Sequence, residues 1–241
     1  MILKKIKRFF HEGRVLQKRH DRILREIEWA HIYHDSIRGK SWLEDLPLNI
    51  GRWAGNYTFF YILNRILNDY KPNSILEMGL GESSKFVSRY LDFYLKNSHH
   101  TIIEQDEKWK NAFISSYNLS ERSKIEIFEL EKRDVKGFEV NMYKGFENKI
   151  NFNYDLYIVD GPHGSARFSR YNIVNVVNNM KNDDDFIIIL DDYNRKGEQD
   201  TAKEILKILE QKNIKAFTAV YQGNKSLIVI ATEKYKYVVS Y

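Results

Sequence analysis

The chain has no cysteine, only three prolines in 241 residues, and no apolar run approaching a membrane span. Without cysteine there is no disulfide framework, no thiolate zinc site and no cysteine nucleophile, and a reducing, cytoplasmic setting is the expectation. Scarce proline argues for packed structure over long loops. A spanning helix needs roughly 18–20 consecutive apolar residues, and no segment has them. At the start, Met1-Ile2-Leu3 runs directly into Lys4-Lys5-Ile6-Lys7-Arg8, so the apolar core of a signal peptide does not form. A broad excess of one charge is also missing. Residues 1–22 hold eight Lys/Arg against two Asp/Glu, a net +6; with +5 overall, the rest of the chain carries −1. A wide basic groove for nucleic acid is therefore not expected.

What remains is an ordinary globular composition, 43% hydrophobic and rich in aromatics at 14%, which places the chain with packed rather than disordered proteins. The length suits one domain with an appendage. The expected division is a basic helical extension and cap over 1–70 and an α/β domain over 71–241. In the extension, Ile6, Phe9, Leu16, Ile23, Ile27, Ala30 and Ile37 fall on one helical face, with Gly13, His20 and His34 filling the gaps. Such a stripe predicts a helix that packs on the domain or on a second copy as a homodimer. Its basic flank also suits peripheral contact of residues 1–22 with an anionic membrane, at the inner face. A second helix is predicted at about 56–70. Between the two, the stretch through Trp42 to Tyr57 has no clear period and reads as a loop, carrying Trp53 and Tyr57 over a site.

From residue 74, apolar runs of strand length alternate with helical patterns, the signature of a parallel sheet with crossover helices. The strands are expected at 74–78, 101–104, 125–130, 156–159, 186–190, 216–221 and 227–231. The last two flank Gly223-Asn224 and read as an antiparallel hairpin. The predicted fold class is α/β: a doubly wound, Rossmann-like, mostly parallel seven-stranded sheet with a C-terminal antiparallel hairpin and an N-terminal helical extension.

Open α/β sheets bind ligands at the carboxyl ends of their strands. The first such end reads Glu77-Met78-Gly79-Leu80-Gly81-Glu82-Ser83-Ser84. Glycines there let the backbone turn tightly and approach a ligand, and a serine can cap the next helix. The next strand ends at Glu104, placed to accept hydrogen bonds from ribose hydroxyls. Both features fit a nicotinamide-dinucleotide site or an adenosylmethionine site. Three details separate them: Glu77 precedes the glycines, Ser84 stands where the dinucleotide fingerprint has its third glycine, and the terminal hairpin lies outside the dinucleotide pattern. On these residues the chain resembles the class I S-adenosylmethionine-dependent methyltransferases over about 70–232. The resemblance implies a cofactor-binding set of Glu77, Gly79, Gly81, Ser83, Ser84, Glu104 and Asp160, with Glu77 and the glycines near the methionine part and Glu104 on the ribose.

The fourth and fifth strands end in Asp160-Gly161-Pro162-His163 and Asp191-Asp192. Neighbouring strands lie about 5 Å apart, so Asp160, Asp191 and Asp192 can converge on one hard cation such as Mg²⁺. The arrangement is similar to metal-dependent O-methyltransferases of the macrocin and catechol types. His163 and Asp160 are the catalytic candidates, with His163 removing the acceptor proton. Arg167 and Arg170 are candidates for pairing with an anionic acceptor, alongside Trp53 and Tyr57. His99 and His100 are expected to play no part. The reading is methyl transfer from S-adenosylmethionine to oxygen on a small polar acceptor, such as a sugar hydroxyl in glycan or capsule assembly. Two alternatives stand beside it: a non-catalytic module docking glycan machinery at a membrane, and an NAD-dependent oxidoreductase.

Overall fold

The structure is a computed structural model that describes residues 2–51, 54–150 and 153–241, with residues 2–10 as backbone only. Three helices come first: α1 (Ile2–Ile37), α2 (Ser41–Glu44) and α3 (Tyr57–Tyr70). The α/β part follows as β1 (Ser74–Met78), α4 (Glu82–Phe93), β2 (His99–Glu104), α5 (Glu107–Ser116) and β3 (Ser123–Ile127). A hairpin, β4 (Leu130–Val135) and β5 (Phe138–Tyr143), and a single turn α6 (Phe146–Lys149) lead into β6 (Leu156–Val159). Next come α7 (Asn172–Asn179), β7 (Ile187–Leu190), α8 (Lys196–Gln211), β8 (Phe217–Gln222) and β9 (Ser226–Ala231), with a terminal 3₁₀ stretch over 233–240.

Seven strands form the main sheet in the order β3-β2-β1-β6-β7-β9-β8. The pairings from β3 to β7 are parallel, whereas β9 runs antiparallel to both β7 and β8. This is the expected fold class. The third strand differs from expectation: Leu130 belongs not to it but to β4, whose hairpin forms a separate two-stranded sheet. Its turn is Lys136-Gly137, both at positive φ (55° and 84°), the backbone of a two-residue hairpin turn that twists with its strands.

Side chains alternate across the sheet. Ile75, Leu156, Ile158, Ile187 and Ile189 pack under α3, α4 and the end of α1. Leu76, Met78, Tyr157, Ile188 and Leu190 pack under α7 and α8. Both faces are therefore sealed, and β6 and β7 need to be continuous apolar runs. Helix α3 begins at Asn56, whose side chain accepts from the Phe59 amide at 3.3 Å, and ends at Lys71 in the left-handed conformation before Pro72.

The second half of helix α1 is held against the domain. The Glu26 carboxylate accepts from Asn56 Nδ2, the Tyr57 amide and the Asn224 amide, each at 2.7 Å, while Trp29 Nε1 donates to the Gln222 carbonyl at 3.0 Å. Tyr33 and Ile37 are buried. Of the predicted stripe, Leu16, Ile23 and Ile27 are not buried against the domain; they are 53%, 42% and 50% exposed. Among the described residues, no helix is long and apolar enough to cross a membrane.

Candidate active site

A cavity of about 830 Å³ opens at the carboxyl ends of β2, β1, β6 and β7. The strand order sets its contents from one side to the other: Glu104, Gln105 and Asp106 after β2, Gly79 to Ser83 after β1, Asp160 to Gly164 after β6, and Asp192 and Arg195 after β7. Lys225 joins from the turn before β9, and Trp109 closes the β2 side. Over the top lie Asn49, Ile50, Gly51, Ala54 and Gly55. This flap is tied down because Glu82 accepts from the Asn49 amide at 3.0 Å while pairing with Lys85 at 2.8 Å. The expected loop through Trp42 to Tyr57 is shorter than predicted, because Trp42 to Glu44 belong to α2 and Tyr57 opens α3; Trp53 lies outside the described residues. Tyr57 is not part of this wall. Its ring sits against Tyr33 and His34 and lines a neighbouring pocket of about 370 Å³.

The floor is made by two backbone turns in contact. Gly79 has φ +105°, and a Cβ there would stand 3.1 Å from the Gly161 amide nitrogen. A Cβ on Gly161 would in turn meet the Tyr143 hydroxyl at 2.5 Å. Tyr143, from the hairpin that sequence patterning missed, is fully buried beneath this crossing, and burial pushes its hydroxyl pKa well up. Gly81 is different. Its φ of −169° is ordinary extended backbone, and a Cβ there would meet no protein atom within 4 Å. Its missing side chain keeps cavity space open.

Glu77 is not in the cavity wall, contrary to expectation. It is still within β1, so its side chain stands perpendicular to the sheet and goes under α4. There it accepts from the Ser83 hydroxyl, and Oε2 lies 2.9 Å from His100 Nε2. Both Glu77 and His100 are buried. In the parallel register Ile75 faces His100, so Glu77 is its diagonal neighbour on the same face. His100, expected to be idle, therefore supports the first loop. Ser84 accepts from the Gly81 amide at 3.0 Å and fastens the start of α4; its side chain is spent on the loop, while Ser83 still lines the cavity.

Glu104 is a wall residue with commitments of its own. Oε2 accepts from the Leu80 amide at 3.0 Å, and Oε1 accepts from the Gln105 and Asp106 amides at 2.8 Å each. A carboxylate offers about four acceptor sites, so part of it remains for a ligand hydroxyl. Trp109 Nε1 donates to the Leu80 carbonyl at 2.8 Å, which pins a half-exposed indole face to the cavity edge.

At the other end, Asp160, Asp191 and Asp192 do converge, with ligand oxygens within 4.8 Å of one another. The Arg170 guanidinium spans them. One terminal nitrogen donates to Asp160 at 2.8 Å and Asp192 at 2.7 Å; the other donates to the Val159 and Asp191 carbonyls at 3.2 and 2.9 Å. Arg170 is thus an internal strut, not a group turned out to an anionic acceptor. Arg167 is not a wall residue: it pairs with Asp200 and lies over the rings of Phe138 and Phe168. Lys225 Nζ is 3.5 Å from Asp191 and 3.4 Å from Asp192, and Arg195 is 3.0 Å from Asp192. Burial, reinforced by Asp191 and Asp192, pushes the Asp160 carboxyl up to about 7 against the pull of Arg170. Burial likewise raises Asp191. Burial works the same way on Asp192, yet Arg170, Lys225 and Arg195 hold it below the usual carboxylate range. A divalent ion wants near-octahedral oxygens at about 2.0–2.1 Å. With Arg170 bonded to two of the three acids, the trio does not fit one. His163 lines the wall beyond Asp160 with its side chain exposed.

Lys225 and Arg195 were missed in sequence. Lys225 sits in a hairpin turn whose proximity to β7 depends on β9 inserting between β7 and β8, which no local pattern reveals.

No protein-family model matches the chain, and no curated protein does. Solved structures share its outline at low identity. An SAH-bound methyltransferase from Podospora anserina is 12% identical, with 92% of this chain and 95% of that one covered and a TM-score of 0.47. An O-methyltransferase from Bacillus cereus in complex with SAH is 13% identical, covering 87% and 91%, with a TM-score of 0.44. A precorrin-6y C5,15-methyltransferase from Geobacter metallireducens is 10% identical, covering 79% and 95%, with a TM-score of 0.46.

Proposed function

We propose that the protein transfers a methyl group from S-adenosylmethionine to a hydroxyl oxygen of a small polar acceptor, a sugar within glycan assembly being the reading favoured. The observation that carries this is the order of groups along one cavity: the Trp109 indole face and Glu104 at one end, an unfilled space over Gly81 in the middle, and Asp160 with His163 at the other. An adenosine stacks on Trp109 with its ribose hydroxyls at Glu104. The methionine part follows the Gly79–Gly81 turn. Bound S-adenosylmethionine supplies an electrophilic sulfonium methyl. The chain's own residues then hold the acceptor in line and take its proton, His163 being the base and Asp160 the second acid–base group at that end. A carboxyl poised near neutrality suits such a role. Arg195 and Lys225, which line the same wall as the acid-bound Arg170, suit a polyhydroxylated or acidic sugar.

The oxidoreductase alternative is less well supported. A dinucleotide sheet runs 3-2-1-4-5-6, whereas here the last strand inserts antiparallel before the sheet edge. Titration calorimetry with adenosylhomocysteine and with NADH tests the choice: binding of the first alone is expected, and binding of NADH alone overturns the reading. The projecting half of α1, with its +6 segment and exposed Leu16, Ile23 and Ile27, is proposed to rest on an anionic lipid surface.

A further inference from the structure

We infer that the cation of the carboxylate trio is the chain's own: the Arg170 guanidinium stands where a divalent ion would sit, and the Lys225 ammonium beside it is the positive charge the cluster offers to a ligand. Arg170 is 97% buried by side-chain area, at 3% exposed, and its four hydrogen bonds tie the end of β6 to the end of β7. Binding this way uses the planar fork of the guanidinium, which matches carboxylate and carbonyl oxygens at fixed spacing. A metal ion entering between Asp160 and Asp192 would have to expel it and leave a buried, unpaired guanidinium, which is strongly unfavourable.

Charge points the same way. Arg170, Lys225 and Arg195 are in contact with Asp160, Asp191 and Asp192, and Glu198 lies 3.8 Å from Arg170 Nε. Acids with no cation near them would invite a divalent ion; acids already in contact with three cations do not. The two central cations are not equivalent. Contacts of Arg170 with the acids are tight, at 2.7–2.8 Å, and consume it. Those of Lys225 are long, at 3.4 and 3.5 Å, and its side chain reaches the cavity wall. An ammonium has three rotatable donors, so Lys225 keeps donors for an acceptor oxygen. That last role rests on the methyl-transfer reading; the exclusion of metal does not.

The test is Mn²⁺ binding by the full chain, followed by electron paramagnetic resonance of the free ion. Wild type is expected to bind no Mn²⁺ at millimolar concentration. Lys225→Met, which leaves Asp191 and Asp192 short of one cation, is expected to gain Mn²⁺ affinity by about tenfold or more. Wild-type binding at micromolar Mn²⁺, lost in Asp191→Asn, overturns the proposal. No gain in Lys225→Met removes Lys225 from it. Adenosylhomocysteine added to the same samples keeps the two readings apart: its failure to bind removes the methyltransferase reading and leaves the metal result intact.

Discussion

Two glycines two residues apart in the same loop, Gly79 and Gly81, should respond oppositely to substitution. Gly79 sits at φ +105°, and a Cβ there would stand 3.1 Å from the Gly161 nitrogen and 3.3 Å from the Asp160 carbonyl carbon. Neither neighbour yields easily, since both are backbone. Strained φ of this kind costs roughly 1–3 kcal/mol, and a chain of this size loses about 2–4 °C of Tm for each kcal/mol. Gly79→Ala should therefore melt roughly 3–10 °C below wild type. Gly81 precedes α4 in extended backbone, with nothing within 4 Å of a Cβ. Asparagine is at least as good as glycine at a helix start, so Gly81→Asn should keep Tm within about 2 °C. Its side chain occupies cavity space, and adenosylhomocysteine affinity should fall about tenfold or more. Scanning calorimetry reads the first quantity and titration calorimetry the second. Gly81→Asn binding with wild-type affinity, or Gly79→Ala melting with wild type, would refute the division of labour.

Other expectations follow from the same geometry. Glu104→Ala strands three loop amides and should cost about 2–4 kcal/mol in urea unfolding; Glu104→Gln, which keeps one acceptor oxygen, should fold better yet still weaken adenosylhomocysteine binding. Folded Asp160 holds its proton up to about pH 7, against 3.8 for an ordinary side chain, so ionising it costs stability progressively as pH rises through that window. Asp160→Asn should consequently raise Tm more at pH 8 than at pH 5; an equal shift at both would contradict the assignment. Deleting residues 1–22 should abolish flotation with anionic liposomes while leaving adenosylhomocysteine binding intact, and unchanged flotation would sink the lipid proposal.

Much of the sheet was readable because its strands have only one use for their residues. Ser74–Met78 and Leu156–Val159 fall where the apolar runs put them, as strands covered on both faces must. The β4–β5 hairpin escaped because Leu130-Glu-Lys-Arg-Asp-Val135 has no apolar alternation, and its turn is Lys-Gly rather than Asn-Gly. That omission hid Tyr143 under the floor. In the site, strand ends told which loops meet but not which way side chains turn. The family resemblance implies Glu77 at the cofactor; one residue short of the strand end, it belongs instead to the α4 side with Ser83 and His100. Arg170, a sequence candidate for pairing with an anionic acceptor, adopts φ +59° and bonds to the acids of the chain itself. Such placements depend on tertiary closure, for which no spacing rule exists.

The most direct measurement is a crystal structure with adenosylhomocysteine. Adenine on the Trp109 face, ribose at Glu104 and the sulfur beyond Gly81 toward Asp160 is the predicted arrangement. A nucleoside bound anywhere else, or a cavity closed by Asn49, Ile50 and Gly55 with no density in it, would contradict the account.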